Sequence, residues 1–193
     1  MGSLRILLLT HEHELTKRTN TGRVVLEALG NVARRIVWQR TAPEAELLRA
    51  IEAGGAALVW PSVAQGGAAP VREPNTFVVI DGTWQQARKM YNRSPYLHGL
   101  PTVALQPTEP SIYTLRRNQV SGGLCTAEAV ACLLERPELA RHGGAPFARA
   151  ITAHLRSFIA DAGDIARRHR TVSTPLAESG GGEASSGSTC CSE

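Results

Sequence analysis

Short apolar runs alternate with polar, helix-periodic stretches along most of this chain. Residues 5–10, RILLLT, read as a buried strand ending at His11. The polar segment HELTKRTNTG follows, and a helix is expected over residues 21–34. Asn20 or Thr21 would cap it, with Val24, Val25, Ala28 and Leu29 on its apolar side. Residues 35–39, RIVWQ, predict a second strand. Pro43 suits the first turn of a second helix, whose Leu47, Leu48 and Ile51 face inward, and Gly54-Gly55 ends it. Further strands are expected at 56–60, AALVW, at 76–80, TFVVI, and at 102–105, TVAL. The sequence DGTW opens a helix to about Asn92. Another helix starts at Thr126, with Ala127, Val130, Ala131 and Leu134 inward, and a last one runs from about Pro146 to Arg168.

Strands of four to six apolar residues alternating with amphipathic helices predict an α/β fold with a largely parallel sheet and flanking helices. Both faces of such a sheet are covered, so its strands read as continuous apolar runs. Ligands bind beyond the carboxyl ends of the strands. That rule singles out His11 and Glu14, Pro61 and Ser62, and Asp81 to Trp84.

The 193 residues suffice for one domain with a core, expected over 1–172. The segment 173–193 is rich in Gly and Ser and has the composition of a disordered tail. No apolar run approaches the roughly 18 residues that span a bilayer, and the start lacks a cleavage signal. A cytoplasmic protein with no membrane partner is expected. Cys125, Cys132, Cys190 and Cys191 form no zinc-type spacing, which fits a reducing compartment. The net charge is +4, and the tail from Leu176 holds three Glu and no Lys or Arg, so residues 1–175 carry +7. A basic body suits a polyanion such as nucleic acid, or reflects an Arg-rich surface vocabulary.

On spacing alone the simplest account of DGTW is structural: Asp81 caps the helix, Gly82 turns the chain and Trp84 packs. The alternative is a site, because a Trp in the first helical turn at the ligand end of a sheet can stack on a base. Arg88, one turn on, faces the same way and could meet a carboxylate or phosphate, or lie on a solvated face. Gly122-Gly123 before Thr126 could cradle a ligand through backbone N–H groups. Arg116 and Arg117 precede it. Glu128 in the first turn suits the helix dipole. HEHE at 11–14 lacks the HExxH spacing of a zinc helix, so no metal is expected. TNTG at 19–22 reads as a turn and cap, then as a ligand loop.

Taken in order, HEHE, TNTG, WPS, DGTWQQAR and CTAEA resemble the DTW-domain family over roughly residues 5–160. The resemblance implies a SPOUT-like fold with a C-terminal trefoil knot that binds S-adenosylmethionine. It implies a tRNA-uridine aminocarboxypropyltransferase, which moves the 3-amino-3-carboxypropyl group to uridine N3 and releases methylthioadenosine. Asp81, Thr83 and Trp84 are then the catalytic candidates, with Asp81 as general base or hydrogen-bonding orienter. Trp60, Pro61, Ser62, Asp81, Gly82, Gly123, Leu124, Thr126 and Glu128 would hold the cofactor. His11, Glu14, Thr19, Asn20, Thr21, Arg88 and Arg116 would meet the tRNA substrate. The family reading allows a monomer or a homodimer.

Two departures from the family pattern stand out. The Cys-rich knuckle that precedes the first strand in many members is expected to be absent. Cys125 stands where the family often has Ser. The alternatives are transfer to ribosomal RNA, a SPOUT-type RNA methyltransferase, and a non-catalytic RNA-binding protein.

Overall fold

The computed structural model describes residues 3–60, 73–115 and 123–172, residues 164–172 by backbone alone. Pro61, Ser62, Arg116, Arg117, Gly122, Cys190, Cys191 and the expected tail 173–193 lie outside the described residues.

Five strands, β1 (Arg5–Thr10), β2 (Ala33–Val37), β3 (Ala56–Trp60), β4 (Thr76–Asp81) and β5 (Thr102–Ala104), form one sheet in the order β2-β1-β4-β3-β5. Every neighbouring pair is parallel. The helices are α1 (Gly22–Leu29), α2 (Ala45–Glu52), α3 (Trp84–Asn92), α4 (Pro95–His98), α5 (Thr126–Leu134) and α6 (Gly144–Val172).

Strand side chains alternate between faces, and each face has its own core. Ile6, Leu8, Ala57, Val59, Phe77 and Val79 pack with Val24, Val25, Ala127, Val130, Leu134 and Ile151 from α1, α5 and α6. Leu7, Leu9, Leu58 and Val78 pack with Leu47, Met90 and Leu97 from α2, α3 and α4. This double burial is why the strands carry unbroken apolar runs. Among the described residues no helix is long and apolar enough to cross a membrane.

Several boundaries differ from the sequence expectation. Helix α1 stops at Leu29 and not at residue 34. Gly30 takes a φ of 53°, a conformation glycine tolerates, and a short 3-10 turn, Gly30–Val32, delivers the chain into β2 two residues early. Pro43 lies outside the first turn of α2. The cap is Glu44, whose carboxylate accepts from the backbone N–H groups of Glu46 and Leu47. Strand β4 includes Asp81, so the carboxylate belongs to the sheet and not to the helix that follows. Strand β5 ends at Ala104, one residue short of the expected limit.

Gly144 opens α6 beside α5. A Cβ there would stand 2.2 Å from the carbonyl oxygen of Leu134, so this close approach admits only glycine.

Candidate active site

The carboxyl ends of the strands carry the polar chemistry. Thr10 and Asp81 are register partners at the ends of β1 and β4. Asp81 is 1% exposed, and its carboxylate is surrounded by donors. The Thr10 hydroxyl donates to Oδ2 at 3.1 Å, the Asn20 amide to both oxygens at 3.0 Å, and the Thr126 hydroxyl to Oδ1 at 2.8 Å. One side chain thus joins β1, the loop before α1, β4 and the start of α5. Burying a carboxylate is costly unless it is hydrogen-bonded, and here each oxygen has two donors. Asp81 therefore does not cap α3.

The cap is Thr83. Its hydroxyl accepts from the Gln86 N–H at 3.3 Å, and the Gln86 side chain accepts from the Thr83 N–H at 2.6 Å. This capping box was visible as Thr-x-x-Gln. Gly82 sits between the two, half-buried.

Glu128 serves a second clamp. Its carboxylate accepts from the Cys125 N–H at 2.8 Å, closing the N-terminus of α5. It also accepts from the Ser111 hydroxyl at 2.9 and 2.8 Å and the Ile112 N–H at 2.7 Å. Tyr113, fully buried, donates its hydroxyl to the Thr19 carbonyl at 2.6 Å. The Thr21 hydroxyl accepts from the Ala127 N–H at 3.3 Å. Three loops that are distant in sequence are thereby tied around Asp81. Ser111 and Tyr113 had no sequence signal, because their partners lie in other loops. Burial first, then the nearby Glu128, push the Cys125 thiol up to about 12, so it stays protonated.

Two aromatic groups flank the centre. Trp84 is 47% exposed and stacks on Trp60, with centroids 5.8 Å apart and an interplanar angle of 27°. Trp60 stacks in turn on Tyr91 at 4.8 Å. On the other side, His11 stacks on Trp38 at 5.8 Å, and the Trp38 indole N–H donates to the Ser94 hydroxyl at 2.8 Å. Trp38 was not among the expected site residues, although it directly follows β2 and obeys the strand-end rule. Glu14 is buried and paired with Lys17 at 2.6 Å. Thr19 and Arg88 are exposed, and Asn20 and Thr21 are buried.

A cavity of about 710 Å³ opens beyond the carboxyl end of β5. Leu105, Ile112, Leu124, Ala127, Glu128, Arg136 and Arg156 are among its lining residues. A larger cavity, about 940 Å³, lies at the amino ends of the strands, away from this chemistry. Most of its charges are paired with one another, Arg5 and Arg34 with Glu46, and Arg141 with Glu73. Among the described residues no group of His, Cys, Asp or Glu is arranged to hold a metal ion.

A parallel sheet covered on both faces, with a polar and aromatic centre at its strand ends, defines an α/β domain of the strand-end ligand-binding class. Within that class, the DTW domain family model matches residues 2–161, and the chain belongs to this family. A similar protein is tRNA-uridine aminocarboxypropyltransferase 2 of Drosophila melanogaster, 37% identical over 105 residues. That match covers 49% of this chain and 41% of the relative, so it spans less than half of either protein. No solved structure gives a significant match.

Proposed function

We propose that the chain is a transferase that moves the 3-amino-3-carboxypropyl group of S-adenosylmethionine to N3 of a tRNA uridine. The observation that carries this reading is the family match over residues 2–161, joined to a relative named for that activity. The geometry supports it. The 710 Å³ cavity lies within the roughly 300–1,000 Å³ of small-molecule sites. Its apolar walls, Leu105, Ile112, Leu124 and Ala127, suit a nucleoside, and Arg156 suits a carboxylate, Arg136 being paired with Glu138. Transfer joins N3 to the carbon as the carbon–sulfur bond of the sulfonium breaks, so methylthioadenosine leaves and the N3 proton passes to solvent.

The protein's own task is then orientation. Asp81 fixes Thr10, Asn20 and Thr126 in one constellation. Both of its oxygens are already engaged, so the orienting role is the one this arrangement supports. Taking up a proton would require Asp81 to surrender those bonds. Glu128 holds the loop 111–113 against α5, where it borders the cavity. Trp84 offers an open ring face for a base, and Arg88 a cation for a phosphate. The same reading extends to a SPOUT-like knot, a monomer or homodimer, and a cytoplasmic location.

The test uses S-adenosylmethionine labelled either in the methyl group or in the aminobutyrate carbons. Each is incubated with the protein and unmodified tRNA, and the digested nucleosides are analysed by mass spectrometry. Aminobutyrate label on uridine with methylthioadenosine released is the expected result. Methyl label on the tRNA would make the protein a methyltransferase. Bound RNA without label from either form would favour a binding protein.

A further inference from the structure

His11 directly follows β1 beside Asp81, and its backbone N–H donates to the Asp81 carbonyl at 3.0 Å. Its ring is oriented from three sides. Trp38 stacks on one face, and His13 meets it edge-on with centroids 5.0 Å apart. The His13 backbone N–H donates to Nδ1 at 3.2 Å. That bond needs a lone pair on Nδ1, which assigns the ring proton of a neutral imidazole to Nε2. His11 Nε2 has no hydrogen-bond partner among the described residues. The residue is 8% exposed. Burial disfavours the charged ring, and His13 and Lys89 add to that, while Glu12 and Glu14 act the other way. The net result is an imidazole that stays neutral near pH 7.

We propose that His11 is a specificity-determining donor, presenting Nε2–H to the O4 carbonyl oxygen beside N3 of the acceptor uracil. This rests on the uridine-directed reading above and adds which group reads the base. A neutral donor in a buried, fixed ring accepts a carbonyl and rejects an amino group, because two donors cannot satisfy each other. Uracil has a carbonyl on each side of N3. Cytosine keeps O2 and replaces O4 with an amino group.

Capping of the 3-10 turn Glu12–Glu14 is the competing role for this side chain, since His11 is its N-cap. Two substitutions separate the roles. His11→Asn keeps an acceptor near Nδ1 and loses the donor at Nε2. His11→Gln keeps a donor near Nε2 and loses the cap. The proposal expects His11→Gln to retain transfer to tRNA, and His11→Asn to fall about tenfold or more in kcat/KM while it remains folded at the assay temperature. Equal or greater activity in His11→Asn would overturn it.

The second measurement needs no turnover. Imidazole ¹⁵N spectra of the wild-type protein should show His11 as the neutral Nε2–H tautomer. Oligouridylate should shift that signal. A response to oligouridylate alone is the expected result; an equal response to oligocytidylate would mean that His11 reads O2, which both bases carry, and would overturn its role in specificity. An Nδ1–H tautomer, or no response to either oligomer, overturns the proposal. Failure of the transferase reading would appear separately, as tRNA free of label from a wild-type protein whose His11 signal still answers to uridylate.

Discussion

Gly22 and Asp81 stand so close that no side chain fits between them: a Cβ on Gly22 would lie 2.5 Å from Asp81 Oδ2. The same Cβ would lie 3.1 Å from Asn20 Oδ1. The glycine of TNTG is therefore set by the carboxylate it faces. In an exposed helix, Gly→Ala would gain about 1 kcal/mol from helix propensity. Here the clash with a buried, fixed carboxylate reverses the sign. Gly22→Ala should lose about 1–3 kcal/mol, read as a lower urea midpoint. A midpoint equal to or above wild type would show that Asp81 can move aside.

Thr83 belongs to the motif but is bonded as a cap. Thr83→Ala should cost about 1 kcal/mol, and Thr83→Ser should restore most of it by keeping the hydroxyl. Comparison of chemical unfolding with transfer activity separates capping from chemistry. Activity that falls in Thr83→Ser with stability intact would place the threonine methyl in the site.

Trp84 is half open to solvent and stacks on one ring, Trp60, among the described residues, whereas Trp60 stacks on both Trp84 and Tyr91. Trp84→Ala should change stability by less than Trp60→Ala, by roughly 0.5 kcal/mol. It should nevertheless weaken RNA binding, because stacking on a base is worth about 1–3 kcal/mol. Fluorescence anisotropy with labelled tRNA measures this directly. Unchanged affinity would assign the exposed ring to another ligand.

The His11 ring gives stability a pH dependence of known sign. Burial, then His13, hold its pKa below the ordinary 6.5, with Lys89 adding to the effect and Glu12 and Glu14 opposing it. Below pH 6.5 the unfolded chain takes up a proton that the folded ring resists. The contribution of His11 is therefore full above that pH. It is lost as pH falls toward the folded-state value, and the loss levels off below it. His11→Asn lacks the titrating group and keeps the cap. Urea midpoints from about pH 7.5 to pH 5 should decline more steeply for wild type than for this variant. Parallel curves would assign the titration elsewhere.

The sheet was legible because burial on both faces leaves the same mark on each strand. RILLLT, AALVW and TFVVI each became a strand within a residue of the expected limits. Helix α1 was read too long because the apolar periodicity of GRVVLEALG runs on through Gly30, where the backbone turns. The Thr83 cap was written in the sequence as Thr-x-x-Gln and was outweighed by the acidic residue two positions earlier. The partners of Asp81 were not legible in the same way. Thr10, Asn20 and Thr126 meet it only through strand register and the docking of α5, which no local spacing records. Trp38 was read as a strand residue, although its place just beyond β2 put it among the strand-end groups.

The bonds to Asp81 span 71, 61 and 45 residues of chain. Such a centre cannot assemble by local folding, since each bond first requires a long loop to close. During synthesis from the N-terminus, the four strands up to Asp81 emerge before Thr126 and α5 exist. Until Thr126 arrives, Asp81 lacks one of its donors and the face that α5 covers lies open. The centre is therefore among the last parts of the domain to be completed, and the growing chain acquires its chemistry only when its core is closed.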